Sequence, residues 1–458
     1  MGGLHPFDGS RTPGGCQFDS ACVSGPRRRR CRPAGGRGVR AVVGGGRATV
    51  GSRETRRRES RVTVTEFRAR TAPSRWPRAG PSEVDLVRTL AVVGGGVIGL
   101  SVAWRAAESG WRVTLYDPAV GSGASWVAGG MLAPLSEGWP GEDAALEFGA
   151  ASLTRWPDFA ARLKSVTGAE VFTAAETLTV ALDAADAADL RTIADWVNAK
   201  LAESGAEADP AVGSALRLLD RAGVRSVEPG LDRRVRAGLL SPAEPAVDNR
   251  SLVTALREAC VAVGVEVRAE EVAALRELPH DRVVLATGAS ARLWPDLPVR
   301  PVKGEILRLR RRLSAPPPPN RVVRARVHGR PIYLVPRPDG LVLGATQYEA
   351  GFDTVVTVGG VRDLITDAEA IFPGVGEYEF AEATAGSRPG TPDNLPLIGY
   401  LDERVIAALG HGRNGILGVP VTADAVLALL ADTELPAARA ASPTRFRVPE
   451  PHFAGGKQ

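Results

Sequence analysis

At 458 residues the chain is long enough for two or three domains, and no run of 18 or more apolar residues marks a membrane-spanning helix. The formal charge of +5 joins two unlike parts: residues 1–80 hold 18 Arg, no Lys and 5 acids, a net +13, which leaves −8 for the remainder. The basic character thus belongs to the leader, and the body shows no basic face interleaved with aromatics, which argues against a nucleic-acid partner; a secretory signal is not indicated, since the N-terminus lacks an apolar h-region.

Residues 1–84 are rich in Gly, Arg, Pro and Ser and poor in large apolar residues. Such a segment buries too little surface to offset its ordering entropy and is expected to be disordered. Its Ala41-Val42-Val43-Gly44-Gly45-Gly46 imitates a strand-to-glycine joint, but no amphipathic helix follows. An Arg-rich, acid-poor leader also fits an organelle transit peptide. A start codon assigned too far upstream is the reading we favour, with the working protein beginning shortly before Leu90. Cys16, Cys22 and Cys31 lie in this leader without a second pair to complete a metal site. Cys260 alone lies in the body, which excludes a disulfide framework there and points to a reducing cytoplasm.

The pattern sharpens at Leu90. Leu90–Val93 is a short apolar strand, followed by Gly94, Gly96 and Gly99 in the G-x-G-x-x-G spacing. Leu100, Ala103, Trp104 and Ala107 recur with a helical period, Gly110 ends that helix, and Val113–Tyr116 makes a second strand closed by Asp117. This is a dinucleotide-binding βαβ unit with its acid roughly 20 residues past the glycines. Gly94 permits the tight turn, Gly96 lets a pyrophosphate approach the backbone, and Gly99 lets helix and strand pack closely. The helix N-terminus offers N–H groups and partial positive charge to the phosphates. Asp117 accepts from a ribose diol, which suits FAD or NAD and repels the 2′-phosphate of NADP.

Residues 118–134 form a small-residue loop placed for a flavin contact. The spacing then predicts a helix over 144–165 with Trp156 and Phe159 inward, a strand pair over 171–182, and a long helix over 184–203. Asn249 is expected to cap a helix over 250–263, with strands at 265–268 and 282–286. The latter ends at Gly288, where backbone passes close to a cofactor. From 300 to 358 the pattern turns to strands, at Ile306–Leu309, Ile332–Val335 and Leu341–Leu343, with Pro316–Pro319 as a rigid connector and Pro338-Asp339-Gly340 as a hairpin turn. Residues 360–372 read as a helix and 385–393 as a turn-rich loop holding the cation Arg388. A buried strand over 405–409 enters Gly410-His411-Gly412-Arg413-Asn414-Gly415-Ile416 and then a helix over 422–430, a second glycine-rich joint. Its helix N-terminus is placed to stabilise negative charge on a reduced flavin.

The two joints together resemble the FAD-dependent amine oxidases of the D-amino-acid oxidase type. More narrowly, GASWVAGGMLAP (123–134), RPGTPDNLPLIG (388–399) and GHGRNGILGVP (410–420) resemble the glycine oxidase (ThiO) group of thiamine thiazole synthesis, over about Leu90–Leu430. The resemblance implies an α/β fold: a Rossmann-like FAD-binding domain in three pieces (85–170, 249–299, 383–432) with an inserted α+β antiparallel-sheet substrate domain (171–248, 300–382) and an irregular tail (433–458). It implies that Val97 and Ile98 begin the FAD helix and that Ala124, Ser125, Ala128, Gly129, Gly130 and Met131 pass along the pyrophosphate and flavin. Val272, in the strand after the 250–263 helix, would meet adenine. His411, Gly412, Asn414, Gly415, Ile416 and Leu417 would line the flavin ring. Arg388 would pair with a substrate carboxylate, Tyr333 would hydrogen-bond it, and Arg413 would lie close to the ligand.

Other readings stay open for these residues: a structural salt bridge for Arg388, core packing for Tyr333, a turn role for His411, and a domain-interface ion pair for Arg413. Gly412 departs from relatives, which often carry a bulkier residue there. The implied activity is oxidation of glycine, sarcosine or small D-amino acids with dioxygen, in a cytoplasmic homo-oligomer, a tetramer by resemblance. The alternatives are a dehydrogenase of the same substrates with another electron acceptor, and a non-catalytic flavoprotein.

Overall fold

The computed structural model describes residues 87–204 and 215–446; the expectations for residues 1–84 and for the end of the tail lie outside them. The first βαβ unit forms as its pattern demands. β1 (Thr89–Val93) and β2 (Arg112–Tyr116) pair in parallel around α1 (Val97–Glu108), with Leu90 against Val113 and Val93 against Tyr116. Leu90, Val92, Leu100, Ala103 and Trp104 are fully buried, but α1 is buried nearly all round and not along one stripe: residues 97–104 and Ala106 are all inside, while Ala107 is only half-buried. The small-residue stretch after β2 contains one helical turn, α2 (Ala124–Val127).

The helix expected over 144–165 is two helices, α3 (Asp143–Leu153) and α4 (Trp156–Thr167). The break is set by Pro157, which occupies the first turn of α4, where its missing N–H costs nothing. Next come β3 (Phe172–Ala174), β4 (Thr177–Ala181), α5 (Ala184–Ser204), β5 (Arg217–Asp220), α6 (Arg221–Val227), β6 (Ala237–Ser241) and β7 (Ala246–Val247). Of these, β5, α6 and β6 carry no clear periodic signal in the sequence. α7 (Asn249–Ala262) is capped by Asp248 and not by Asn249: the Asp248 side chain accepts from Arg250 N and Ser251 N. Asn249 instead turns inward and donates to the carbonyls of Ser125 and Trp126, each at 2.9 Å.

β8 (Glu266–Arg268) and β9 (Arg282–Leu285) follow, then β10 (Arg300–Arg310), β11 (Val322–Val327), β12 (Arg330–Arg337), β13 (Gly340–Gly344), α8 (Val358–Ile371), β14 (Glu379–Gly390), β15 (Leu397–Tyr400), β16 (Val405–Leu409) and α9 (Val419–Leu430). The 385–393 stretch is thus mostly strand and not loop. β14 pairs along β10 from Glu379 to Gly390 and lies at the edge of its sheet, the one place where Pro389 does not break a ladder.

Two large sheets result. The six-stranded sheet runs β15-β16-β9-β1-β2-β8, parallel throughout except for β15. The eight-stranded sheet runs β14-β10-β13-β12-β11-β4-β6-β5 and is antiparallel except between β11 and β4. Its strand β14 runs through residue 382, where the inserted domain was expected to end. This is the expected fold class, a Rossmann-like α/β sheet carrying a largely antiparallel α+β insert. Alternation decides what the larger sheet presents. Leu307, Leu309, Leu334, Leu341 and Leu343 pack against Leu364, Ala368 and Ile371 of α8. Ile306, Val322, Val335 and Val342 cluster on the opposite face with Val127, Met131 and Tyr333. After Thr433 the described tail holds two short 3-10 turns, Pro436–Ala441 and Pro443–Phe446.

Candidate active site

A cavity of about 1210 Å³ runs from the carboxyl ends of the parallel strands to the Tyr333 face of the larger sheet. Glycines follow four of those strands: Gly94 after β1, Gly121 beyond β2, Gly288 after β9 and Gly410 after β16, with φ of +108°, +85°, +61° and +79°. Open α/β sheets place their ligands at such strand ends. The cavity is bordered by Gly94, Gly96, Val97, Ile98, Asp117, Ala124, Ser125, Ala128, Gly129, Gly130, Met131, Val272, Gly288, His411, Gly412, Asn414, Gly415 and Ile416.

The nucleotide end fits a dinucleotide. No side chain caps the Gly96 start of α1 in the usual way; Ser125 Oγ accepts from Val97 N at 3.1 Å. Asp117 takes one backbone donor on each oxygen, Gly95 N at 2.6 Å and Ala119 N at 2.7 Å, which fixes its carboxylate at the end of β2 while lone pairs remain for a diol. Gly99 does not border the cavity. An added Cβ there would fall 1.8 Å from the Gly94 carbonyl, so its role is the close packing of α1 on the turn. Val272 borders the cavity from a loop beyond β8, not from a strand.

At the other end three glycines shape the site around two side chains. A Cβ at Gly129 would meet the Tyr333 ring at 2.8 Å, one at Gly344 would meet its ring and Oη at 2.3 Å, and one at Gly304 would meet the Arg388 guanidinium at 2.3 Å. Tyr333 on β12 lies opposite Gly344 on β13, so its ring lies flat across the neighbouring strand. Arg388 on β14 reaches over Gly304 on β10, and its Nη1 donates to Thr346 O at 3.2 Å. Burial pushes the Tyr333 phenol up from its ordinary value, while the adjacent Arg388 charge pulls it down. A neutral hydroxyl beside a guanidinium is a donor pair for a carboxylate.

Several residues of the site carry no motif signal. Arg337 is 5% exposed; its Nη2 donates to Gly129 O at 2.8 Å and its Nε pairs with Asp248 at 3.0 Å, fixing the 125–130 turn to the sheet. Burial draws its pKa down to about 10, which leaves it charged at neutral pH. Buried Glu244 accepts from the backbone N–H groups of Leu135 and Ser136. The turn it holds carries Glu137, which pairs with Arg324 Nη2 at 3.0 Å and Arg413 Nε at 2.9 Å. Arg413 therefore borders the cavity as half of an ion pair, with its side chain 53% exposed. Buried Lys303 pairs with Asp353 at 2.7 Å and donates to Val355 O, holding the loop whose Gln347, Phe352 and Thr354 close one side of the cavity. The alternation of β12, which puts Tyr333, Val335 and Arg337 on one face, was the only cue to Arg337.

At the second joint α9 begins at Val419, three residues earlier than the pattern implied, because Pro420 fits its first turn. Leu417 does not line the cavity. It is 1% exposed in the core, and its carbonyl accepts from Ser152 Oγ at 2.6 Å and Trp156 Nε1 at 2.9 Å. Gly412 has open space around it but a φ of +54°, so a bulkier residue there would meet backbone strain and not a clash.

His411 is buried, with Nε2 at 2.9 Å from Thr422 Oγ1, and burial lowers its pKa to about 3. The folded state therefore excludes a proton that the unfolded chain binds below about 6.5. Its contribution to stability is complete above that pH and is lost as pH falls toward 3. For His411→Gln, melting temperatures measured across this range should approach those of the wild type as pH falls; a constant offset would refute the assignment.

Residues 89–429 match the family described as DAO, FAD dependent oxidoreductase. The chain is 32% identical over 379 residues to the bifunctional protein ThiO/ThiG of Synechocystis sp., covering 78% of this chain and 53% of that protein, and so spans about half the length of its bifunctional relatives. It is 32% identical over 346 residues to the putative thiamine biosynthesis oxidoreductase ThiO of Rhizobium etli, covering 73% of this chain and 94% of that one. It is similar to the crystal structure of glycine oxidase from Geobacillus kaustophilus, with a TM-score of 0.70 and 28% identity over 79% of this chain and 100% of that one. With a cavity of about 1210 Å³ that starts at the glycine turn and the Asp117 carboxylate and has room for a flavin dinucleotide, the chain belongs to the DAO family of FAD-dependent oxidoreductases, and FAD is its cofactor.

Proposed function

We propose that this protein is an oxidase of glycine and of comparably small amino acids such as sarcosine and D-alanine. The observation that carries the reading is the Arg388–Tyr333 pair, set into the cavity by Gly129, Gly304 and Gly344. A scaffold that only held FAD would have no use for a guanidinium and a phenol seated on three glycines. Glycine has almost no apolar surface, so its binding must rest on charge. Arg388 takes the carboxylate in a charge-assisted pair and Tyr333 adds a hydrogen bond, which together fix the α-carbon in one orientation. Bound FAD supplies the two-electron acceptor for the α-carbon hydride, and dioxygen, reduced to hydrogen peroxide, restores it. His411, buried, bonded to Thr422 and lowered to a pKa of about 3, is too weak a base to take a proton from the amine. The amine therefore reacts in its neutral form, with its proton lost to solvent. The resulting imine hydrolyses to glyoxylate and ammonia or, as the name of the Rhizobium etli relative suggests, serves thiamine biosynthesis.

Anaerobic addition of glycine to the purified yellow protein should bleach its flavin absorbance, and admitting air should return the colour with about one peroxide per glycine consumed. A flavin that stays oxidised with glycine, sarcosine and D-alanine alike would end this reading. Bleaching without peroxide on reoxidation would reassign the protein as a dehydrogenase.

A further inference from the structure

Among the described residues Arg388 makes no ion pair, and its guanidinium is tied to the backbone through Nη1, which donates to the Thr346 carbonyl at 3.2 Å. Thr346 is in turn held by one residue, Glu305 on β10. Side chains alternate along that strand. Gly304 lies under the guanidinium on the cavity face, while Glu305 does not border the cavity and turns the other way, toward the start of α8. Thr346 N donates to Glu305 O at 3.2 Å. Thr346 Oγ1 accepts from Glu305 N at 2.9 Å and donates to Glu305 Oε2 at 3.3 Å. These bonds to one residue fix the Thr346 peptide with its carbonyl directed at Arg388.

The same carboxylate closes the far end of segment 346–357, where Thr357 N donates to Glu305 Oε1 at 2.8 Å. Between the two ends, Gln347, Phe352 and Thr354 border the cavity. Glu305 is fully buried, and a Cβ at Gly360 would fall 1.6 Å from its Oε2, so the third residue of α8 leaves room for the carboxylate. Lys303 Nζ lies 3.7 Å from Oε1. Burying a carboxylate is costly, and capping α8 does not require one. Thr357 Oγ1 already accepts from Gly360 N at 3.0 Å, the ordinary N-cap bond. What Thr357 leaves unserved is Thr346.

We propose that Glu305 is a positioning residue for the substrate clamp: by fixing Thr346 it sets the carbonyl that holds the Arg388 guanidinium where a carboxylate is received. This rests on the reading of Arg388 as that clamp. The sequence Lys303-Gly304-Glu305 then serves one cation from both faces of β10. Gly304 gives the guanidinium room on the cavity side, and Glu305 orients it from behind.

Two nearly isosteric variants test this in the FAD-loaded protein. Thr346→Val keeps the carbonyl and loses the hydroxyl. Glu305→Gln keeps the shape but places amide donors where the carboxylate accepts from Thr346 and Thr357. Each should raise KM for glycine about tenfold, and likewise the Kd of acetate, a bare carboxylate titrated by calorimetry. Flavin content should stay near that of the wild type, and kcat should change less than KM. Thr346→Ser should restore most of the affinity. Added to Arg388→Ala, Thr346→Val should cost nothing more, since both remove the same contact. Should Glu305→Gln fail to fold, Thr346→Val decides alone. Acetate affinity unaltered in Thr346→Val but lost in Arg388→Ala would overturn the proposal and leave the clamp standing. So would losses that add in the double variant, or that fall only on flavin content and melting temperature, which would mark Glu305 as a support for α8. Acetate affinity unaltered in Arg388→Ala would overturn the clamp itself, and this proposal with it.

Discussion

Gly304→Ala is expected to raise the KM for glycine at least tenfold while the protein stays folded and loaded with FAD. The added Cβ would lie 2.3 Å from Arg388 Nη1 and 2.4 Å from its Cζ and Nη2. These atoms form the far end of a flexible side chain, so the guanidinium swings away and the backbone is undisturbed. What is lost is one position of one cation. If that cation holds the carboxylate, the lost charge-assisted bond is worth roughly 1.5–3 kcal/mol, or about ten- to a hundredfold in affinity. Arg388→Ala should lose a similar amount, and the double variant should be no worse than Arg388→Ala alone, because both remove the same contact. The measurements are KM for glycine, flavin-to-protein absorbance ratio and melting temperature for each variant. An unchanged KM in Gly304→Ala together with a defect in Arg388→Ala would place the action of Arg388 elsewhere, in its bond to Thr346 O.

The contrast between Arg388 and Gly304 shows what the sequence could carry. The βαβ unit was legible because one local pattern encodes strand, turn, helix and acid within 29 residues, Thr89 to Asp117. Arg388 was legible only through a motif resemblance, and the stretch around it reads as a loop because Gly386, Pro389 and Gly390 disfavour strands. Only its pairing along β10, more than 80 residues away, makes it one. Of the glycines that seat the clamp, Gly129 was named through the motif resemblance, as a cofactor contact, while Gly304 and Gly344 were illegible for the same reason. Nothing local distinguishes Gly304 or Gly344 from a turn glycine; their meaning comes from side chains that arrive from other strands. The Glu137 bridge between Arg324 and Arg413 likewise joins a turn, a sheet and the second joint, three places with no sequence relation. Asp248 and Asn249 illustrate a finer limit. Both are good helix caps, and the choice between them was made by Arg308 and Arg337, which approach the Asn249 carbonyl oxygen at 2.9 and 3.4 Å and draw that side chain inward.

The glycines of the first joint should separate cofactor binding from folding. A Cβ at Gly99 would lie 1.8 Å from the Gly94 carbonyl oxygen and 3.0 Å from its carbon. Both atoms are backbone, in a turn already bound by Gly94 N donating to Tyr116 O at 2.9 Å, so nothing inexpensive can move. Gly99→Ala must therefore push α1 off the sheet, against a core where Leu100 and Trp104 are fully buried. Overpacking of this kind costs about 1–3 kcal/mol, and the apoprotein itself should melt several degrees lower. At Gly96 the only nearby atom is Ser125 Oγ at 3.1 Å, a hydroxyl that can rotate away. Gly96→Ala should leave the apoprotein's melting temperature close to that of the wild type. Its methyl would instead stand over the open N-terminus of α1, where the pyrophosphate must approach the backbone. The purified variant should then carry little flavin and recover little on soaking with FAD. A Gly96→Ala protein that keeps its full yellow colour would mean that the dinucleotide does not cross this turn, and the placement of the cofactor along the cavity would have to be reversed.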